Sequence, residues 1–227
     1  MSSLHEEEVE SRWEAAPAAA TVIVLQLALA MVSEHQGWML WGLPWWIWLA
    51  AIVPELVLFG ALALSRPHHA LVQSGHRRKV ALALFVIISV ENAIALAALI
   101  GSLVTGHEKS GTQLLFKAVT IWSTNVLIFG LWYWAIDRGG PVRRVQPDPP
   151  PRDFQFPQDE NPQLAEPNWR THVIDYVYVS FTNSIAFSPT DAMPLTRRAK
   201  LLMLLESSAS AMTILLCAAR AVNILSS

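Results

Sequence analysis

Between Val80 and Val104 an apolar run is interrupted by Glu91, with Asn92 beside it. A charge near the bilayer centre costs roughly 2.5 kcal/mol or more, so an ionisable residue at such a position is a functional candidate. The same reasoning selects Glu55, which directly follows Pro54 in an apolar block, and Glu206, early in the last one. Asn125 lies near the centre of a fourth block that also holds Lys117. The chemistry such a set could do is to pass a proton or a small cation along carboxyl and amide groups. The competing reading is structural: neutral glutamates hydrogen-bonded across helices, and Lys117 reaching along its own stem to the interface.

Other chemistries find little support. The chain holds no glycine-rich phosphate loop, no His-Glu-x-x-His helix and no nucleophile elbow. Neither enzymatic activity, nor catalytic residues, nor a cofactor is therefore expected. The lone Cys217 excludes an intrachain disulfide and a cysteine metal cluster. His68, His69 and His76 share a basic loop and read as solvated side chains rather than metal ligands. Net charge is −2, so nothing global suggests nucleic acid. Glu6, Glu7, Glu8 and Glu10 are unlike the basic start of a cleaved signal, and none is expected.

The elements that must carry these residues follow from composition: 53% of residues are hydrophobic and only 15% charged, against roughly 25% charged in soluble domains. Apolar blocks run over 18–32, 38–64, 80–104 and 114–136, with a last one over 201–225. They suit a hydrocarbon core of about 30 Å. Trp38, Trp41, Trp45, Trp46 and Trp48 crowd the start of the second block, and Trp132, Tyr133 and Trp134 close the fourth. Both clusters read as interfacial belts, where an indole keeps one wet edge for its N–H. Residues 137–170 carry eight prolines among charges and read as an extended, solvated linker. A short apolar stretch over 171–188 follows, interrupted by Asp175 and Asn183 and ended by the turn signal Ser188-Pro189-Thr190-Asp191. Thr196 is placed to cap the last helix.

Lys and Arg gather on one side of a four-crossing bundle. Arg12, Arg66, Arg77, Arg78, Lys79, Arg138, Arg143, Arg144, Arg152 and Arg170 all fall there, and only Lys109 falls in the short loops opposite. The positive-inside rule places the N-terminus, the 65–79 loop and the linker in the cytoplasm. A 171–188 segment that dips and returns keeps Arg197, Arg198 and Lys200 on that same side.

Two resemblances enter here. The run Asp175-Tyr176-Val177-Tyr178-Val179-Ser180-Phe181-Thr182 resembles the pore helix of two-helix potassium channels. Ser188-Pro189-Thr190-Asp191 falls where those channels have their Gly-Tyr-Gly-Asp filter, Pro194-Leu195-Thr196 resembles the post-filter turn, and the helix from Leu201 to Arg220 resembles the inner helix. The filter departs from the pattern, since Ser188 and Thr190 replace both glycines. The four residues read better as a helix start, with Ser188 as cap and Pro189 at the first helical position. The chain as a whole resembles a bacterial inner-membrane family of unknown function, with several helices, a linker containing aspartate and proline, a Tyr-x-x-x-Ser-Phe stretch and a Thr-Arg-Arg-led final helix. That resemblance implies a multi-pass inner-membrane location and names no activity.

The expected architecture is an all-α, polytopic integral membrane protein. Residues 1–16 form a cytoplasmic N-terminal segment and 17–136 four transmembrane helices. The linker covers 137–170, and 171–227 a re-entrant, pore-helix-like segment and a fifth helix. The expected function is a small-ion or small-solute pore or transporter that does not select potassium. Its polar candidates are Glu91, Asn92, Glu55, Asn125, Glu206, Ser188, Thr190 and Asp191. The alternative is a non-conducting membrane protein whose hairpin serves helix packing or partner binding. Expected partners are the lipid bilayer, a small ion and further copies of the chain, because one hairpin cannot enclose a pore.

Overall fold

A computed structural model describes residues 14–38, 44–64, 70–105, 110–144, 146–167, 169–189 and 191–225. Five of its helices are long and apolar enough to cross a bilayer: Ala16–His35, Trp45–Ala63, Arg77–Val104, Gly111–Arg144 and Arg197–Arg220. Their polar and apolar faces are inverted relative to a soluble bundle. Glu55 is fully buried while Val53, Leu56 and Val57 around it are exposed, and Glu206 is fully buried while Leu204 and Leu205 are exposed. Water would penalise that arrangement and lipid rewards it. The chain is a multi-pass integral membrane protein.

The chain divides into two compact units, 19–128 with 212–227 and 1–18 with 129–211. The first holds nearly all of α1 (Ala16–His35), with α2 (Trp45–Leu64), α3 (Ala70–Val104) and most of α4 (Gly111–Ile136). At the end of α1, Gly37 takes φ +64, letting Trp38 N–H donate to Ser33 O at 2.7 Å and Gly37 N–H to Glu34 O at 3.1 Å. This Schellman pair satisfies carbonyls that the helix leaves open. α2 packs on α3, and Arg77 donates to Leu62 O at 2.9 Å. The basic 65–79 stretch is thus helical from Ala70 onward rather than a loop throughout. Ser110 begins α4, its Oγ accepting Gln113 N–H at 3.3 Å. Lys117 is buried in the protein instead of extending toward the interface.

The second unit contains the end of α4, a 3₁₀ turn at Asp137–Gly139, and the short helices α5 (Pro141–Arg144) and α6 (Pro157–Glu160). It continues through α7 (Val173–Ala186) into the first half of α8 (Arg197–Leu225). The two-residue strands β1 (Phe154–Gln155) and β2 (Met193–Pro194) pair antiparallel. The prolines limit helices between α4 and α7 to single turns, as expected. The expectation of a solvated, extended linker does not fit, because Asp137, Asp153, Phe154 and Phe156 are buried. Phe154 lies 5.0 Å from Tyr133 and 6.2 Å from Tyr176, ring to ring, and Phe156 lies 5.4 Å from Tyr176. Spaced prolines and charges hid an aromatic plug.

At the start of α7, Asp175 accepts His172 N–H at 2.7 Å. Thr196 caps α8, its Oγ1 accepting Ala199 N–H at 3.3 Å, as its position in the sequence suggested. α7 and α8 run side by side in the same sense. Near their starts, Tyr176 donates to Asp137, and Arg198 and Thr196 donate to Asp153, whose own N–H donates to Asp137. Farther along, Asn183 donates to Met203 O at 3.1 Å and to Glu206 at 2.6 Å. At about 1.5 Å per residue α7 is about 21 Å long. Residues 187–196 carry the chain back over that length. Phe187 ends α7 with φ 53, and Ser188 and Pro189 sit in the return, followed by β2. The expectation that Ser188 and Pro189 start a helix is therefore wrong: α7 has just ended there, and no helix begins before Arg197.

Candidate functional site

In the first unit the structure brings together three helices' worth of polar side chains. Glu55 of α2, fully buried, is in hydrogen-bonding contact with Glu91 of α3 and accepts from Gln26 Nε2 of α1 at 3.2 Å. Gln26, Glu91, Asn92, Thr120 and Thr124 line a cavity of about 50 Å³ beside this pair. Two ionised carboxylates have no donor between them, and Glu55 Oε2 is then buried without a partner. A proton between them converts the contact into a hydrogen bond. Pro54 bears on the placement: lacking an N–H, it leaves a carbonyl one turn back on α2 without its usual partner. Asn125, the other amide singled out from the sequence, is buried on α4 and does not line this cavity.

Glu206 belongs to the second unit. Ser180 hydroxyl donates to its Oε1, and Tyr133 hydroxyl and Asn183 amide donate to its Oε2. All four side chains are buried. Spacing explains the α7 contribution, since Ser180 and Asn183 are three residues apart and so share a helix face. The sequence reading assigned Tyr133 to an interfacial belt; its body is aromatic packing, but its hydroxyl is a buried donor. With three donors on one carboxylate, this cluster reads as a structural lock rather than an open site.

No protein-family model matches this chain, and no curated protein or solved structure resembles it significantly. The site must be read from its own chemistry.

A second polar cluster in that unit, also missed from sequence, ties the segment after α4 to α7 and α8. Asp137 Oδ1 accepts the N–H groups of Asp153 at 2.7 Å and Phe154 at 3.2 Å, and its Oδ2 accepts the Tyr176 hydroxyl at 2.6 Å. Burial pushes the Tyr176 phenol above its ordinary range, so it remains a donor at neutral pH. Arg144 donates to Tyr176 Oη at 3.0 Å and to Thr171 at 3.2 Å. Asp153 holds Arg198 by both Nε and Nη2, and Thr196 Oγ1 at 2.5 Å. The signal that could have found these aspartates is weak, because an Asp among prolines usually marks a solvated turn.

The filter-like residues do not form a comparable site. Ser188 is exposed, and Asp191, also exposed, accepts a hydrogen bond from Tyr178. Thr190, His68 and His69, with the side chain of His76, lie outside the described residues.

Proposed function

We propose that this protein moves a small ion or small solute across the bacterial inner membrane, without selecting potassium, and has no catalytic role. It belongs on this reading with the bacterial inner-membrane family it resembles. The observation that carries the proposal is the Glu55–Glu91 pair, two carboxyls from separate membrane helices meeting beside a cavity lined by Gln26, Asn92, Thr120 and Thr124. Such groups are costly at membrane depth, and a carboxyl pair that can hold or release one proton is suited to carrying charge. Glu91→Gln keeps size and hydrogen-bonding capacity while removing the titrating oxygen. In proteoliposomes it is expected to reduce pH-driven flux to the protein-free baseline while costing about 1 kcal/mol of stability or less. Parent and variant proteoliposomes with equal flux would refute the transport reading.

The hairpin supports a packing role for itself. A Cβ built on Gly130 of α4 would come within 2.8 Å of the Val177 backbone on α7, so only glycine allows this approach. Helices that close, with Glu206 saturated between them, leave no passage along that contact. This observation favours the second reading for the hairpin: it serves helix packing, and a protein with no flux would be non-conducting throughout.

On our reading α7 is re-entrant, entering from and returning to the side that holds 137–170. The shared anchoring of the first turns of α7 and α8 on Asp137 and Asp153 supports this. In a Cys217→Ser background, single cysteines at Arg170 and Lys200 should react with an impermeant reagent from one face only. A cysteine at Ser110 should react from the other, the outer face. Opposite faces for Arg170 and Lys200 would make α7 a sixth crossing.

A further inference from the structure

The cavity beside Glu55 and Glu91 presents more acceptor than donor. Thr124 Oγ1 lines it and has no partner, on a side chain only 2% exposed. Gln26 Oε1 is likewise buried and unpartnered, because its amide nitrogen is spent on Glu55. Glu55 Oε2 is the third such oxygen. Unpartnered buried acceptors are costly, and helices lying in lipid have no ready supply of water to satisfy them. Asn92 and Thr120 add further oxygens to the same wall. An all-oxygen set of carboxylates, amide carbonyls and hydroxyls is a donor set for a hard cation.

From this geometry we infer that the cavity is a binding site for a monovalent alkali cation, which enters as the proton shared by Glu55 and Glu91 leaves. The inference rests on the transport reading above and names its substrate class. Before entry the two carboxyls share one proton and carry one negative charge. The cation binds the two carboxylates, the O–H bond breaks, and the proton departs to water. The cavity with its cation again carries one negative charge. Because its net charge is the same before and after, the exchange adds no buried charge, which is the term that would otherwise oppose a cation at this depth. A volume of about 50 Å³ leaves space for an ion and little hydration. Magnesium keeps several waters and needs near-ideal octahedral geometry, so it fits poorly. Calcium would change the cavity's charge by one unit unless a second proton left.

The test uses the full chain, purified in detergent micelles in weak buffer with a pH-reporting dye. Sodium chloride should release one proton per bound sodium, and choline chloride none. Thr124→Val should weaken sodium-dependent release roughly tenfold, the scale on which losing one supporting contact weakens a cation site. Glu91→Gln should abolish release, with thermal melts confirming that both variants fold. Sodium without proton release, equal release by choline, or an unchanged Thr124→Val response would each overturn the proposal, as would two protons released per calcium. The two readings fail separately. Flux through the parent that is identical in sodium and choline buffers would leave transport standing and refute cation exchange. Sodium-linked proton release without any flux in proteoliposomes would leave the site standing and refute transport.

Discussion

Glu206→Ala is expected to be recovered unfolded, or not at all. The substitution leaves the Tyr133 hydroxyl, the Ser180 hydroxyl and the Asn183 amide facing the space the carboxylate filled. Each is buried, and an unsatisfied buried donor costs about 1–3 kcal/mol, so the loss is about 3–9 kcal/mol before any cavity term. Net stabilities of about 5–15 kcal/mol do not absorb such a loss comfortably. Asn183 keeps its second bond, to Met203 O, which places its share at the lower end. Glu206→Gln retains one acceptor and the side-chain volume, so it should sit between parent and Ala. Thermal melts of the detergent-purified proteins decide the order. A Glu206→Ala protein that melts with the parent would show that these donors find other acceptors, and that the cluster locks nothing.

The parts of this fold that sequence made legible are those the bilayer dictates. Apolar runs of sufficient length marked all five long helices, because in lipid each backbone group must be paired within its own segment. Glu55, Glu91 and Glu206 stood out against such runs by cost alone. Their partners did not, since Gln26, Thr124, Ser180 and Asn183 are ordinary polar residues whose meaning comes from which helix faces which. Asn125 shows the limit in the other direction, being equally conspicuous in sequence and absent from the cavity wall. Between α4 and α7 the rules of composition pointed the wrong way. Prolines correctly forbade long helix, but burial of Asp153 and Phe154 depends on Asp137, Thr196 and Arg198, which come from either side of that segment. No local pattern encodes that contact. At Ser188-Pro189 the local cap signal was sound in type but overridden by the preceding αL residue and the return toward β2.

These partners make Asp137 the residue on which the segment's folded path most depends, and Asp137→Ala should free it. Two buried backbone N–H groups, those of Asp153 and Phe154, share its Oδ1 and lose their acceptor together. At about 1–3 kcal/mol each the cost is about 2–6 kcal/mol. Tyr176 adds less, because its hydroxyl can turn to Thr171 Oγ1, already 3.2 Å away. Asp153 would then be held only by Thr196, Arg198 and the Leu195 N–H. Arg198 is half exposed, and solvent weakens its grip. Trypsin should therefore cut Asp137→Ala at Arg152 much faster than the parent, and the Asp153 and Phe154 amides should exchange with deuterium early. Asp137→Asn separates hydrogen bonding from charge. Its carbonyl can accept the same two N–H groups, while its amide donates to Tyr176 Oη and the Tyr176 proton moves to Thr171. That variant should resist trypsin nearly as the parent does. Rapid cleavage of Asp137→Asn, matching Asp137→Ala, would mean that the charge of the carboxylate and not its geometry holds the segment.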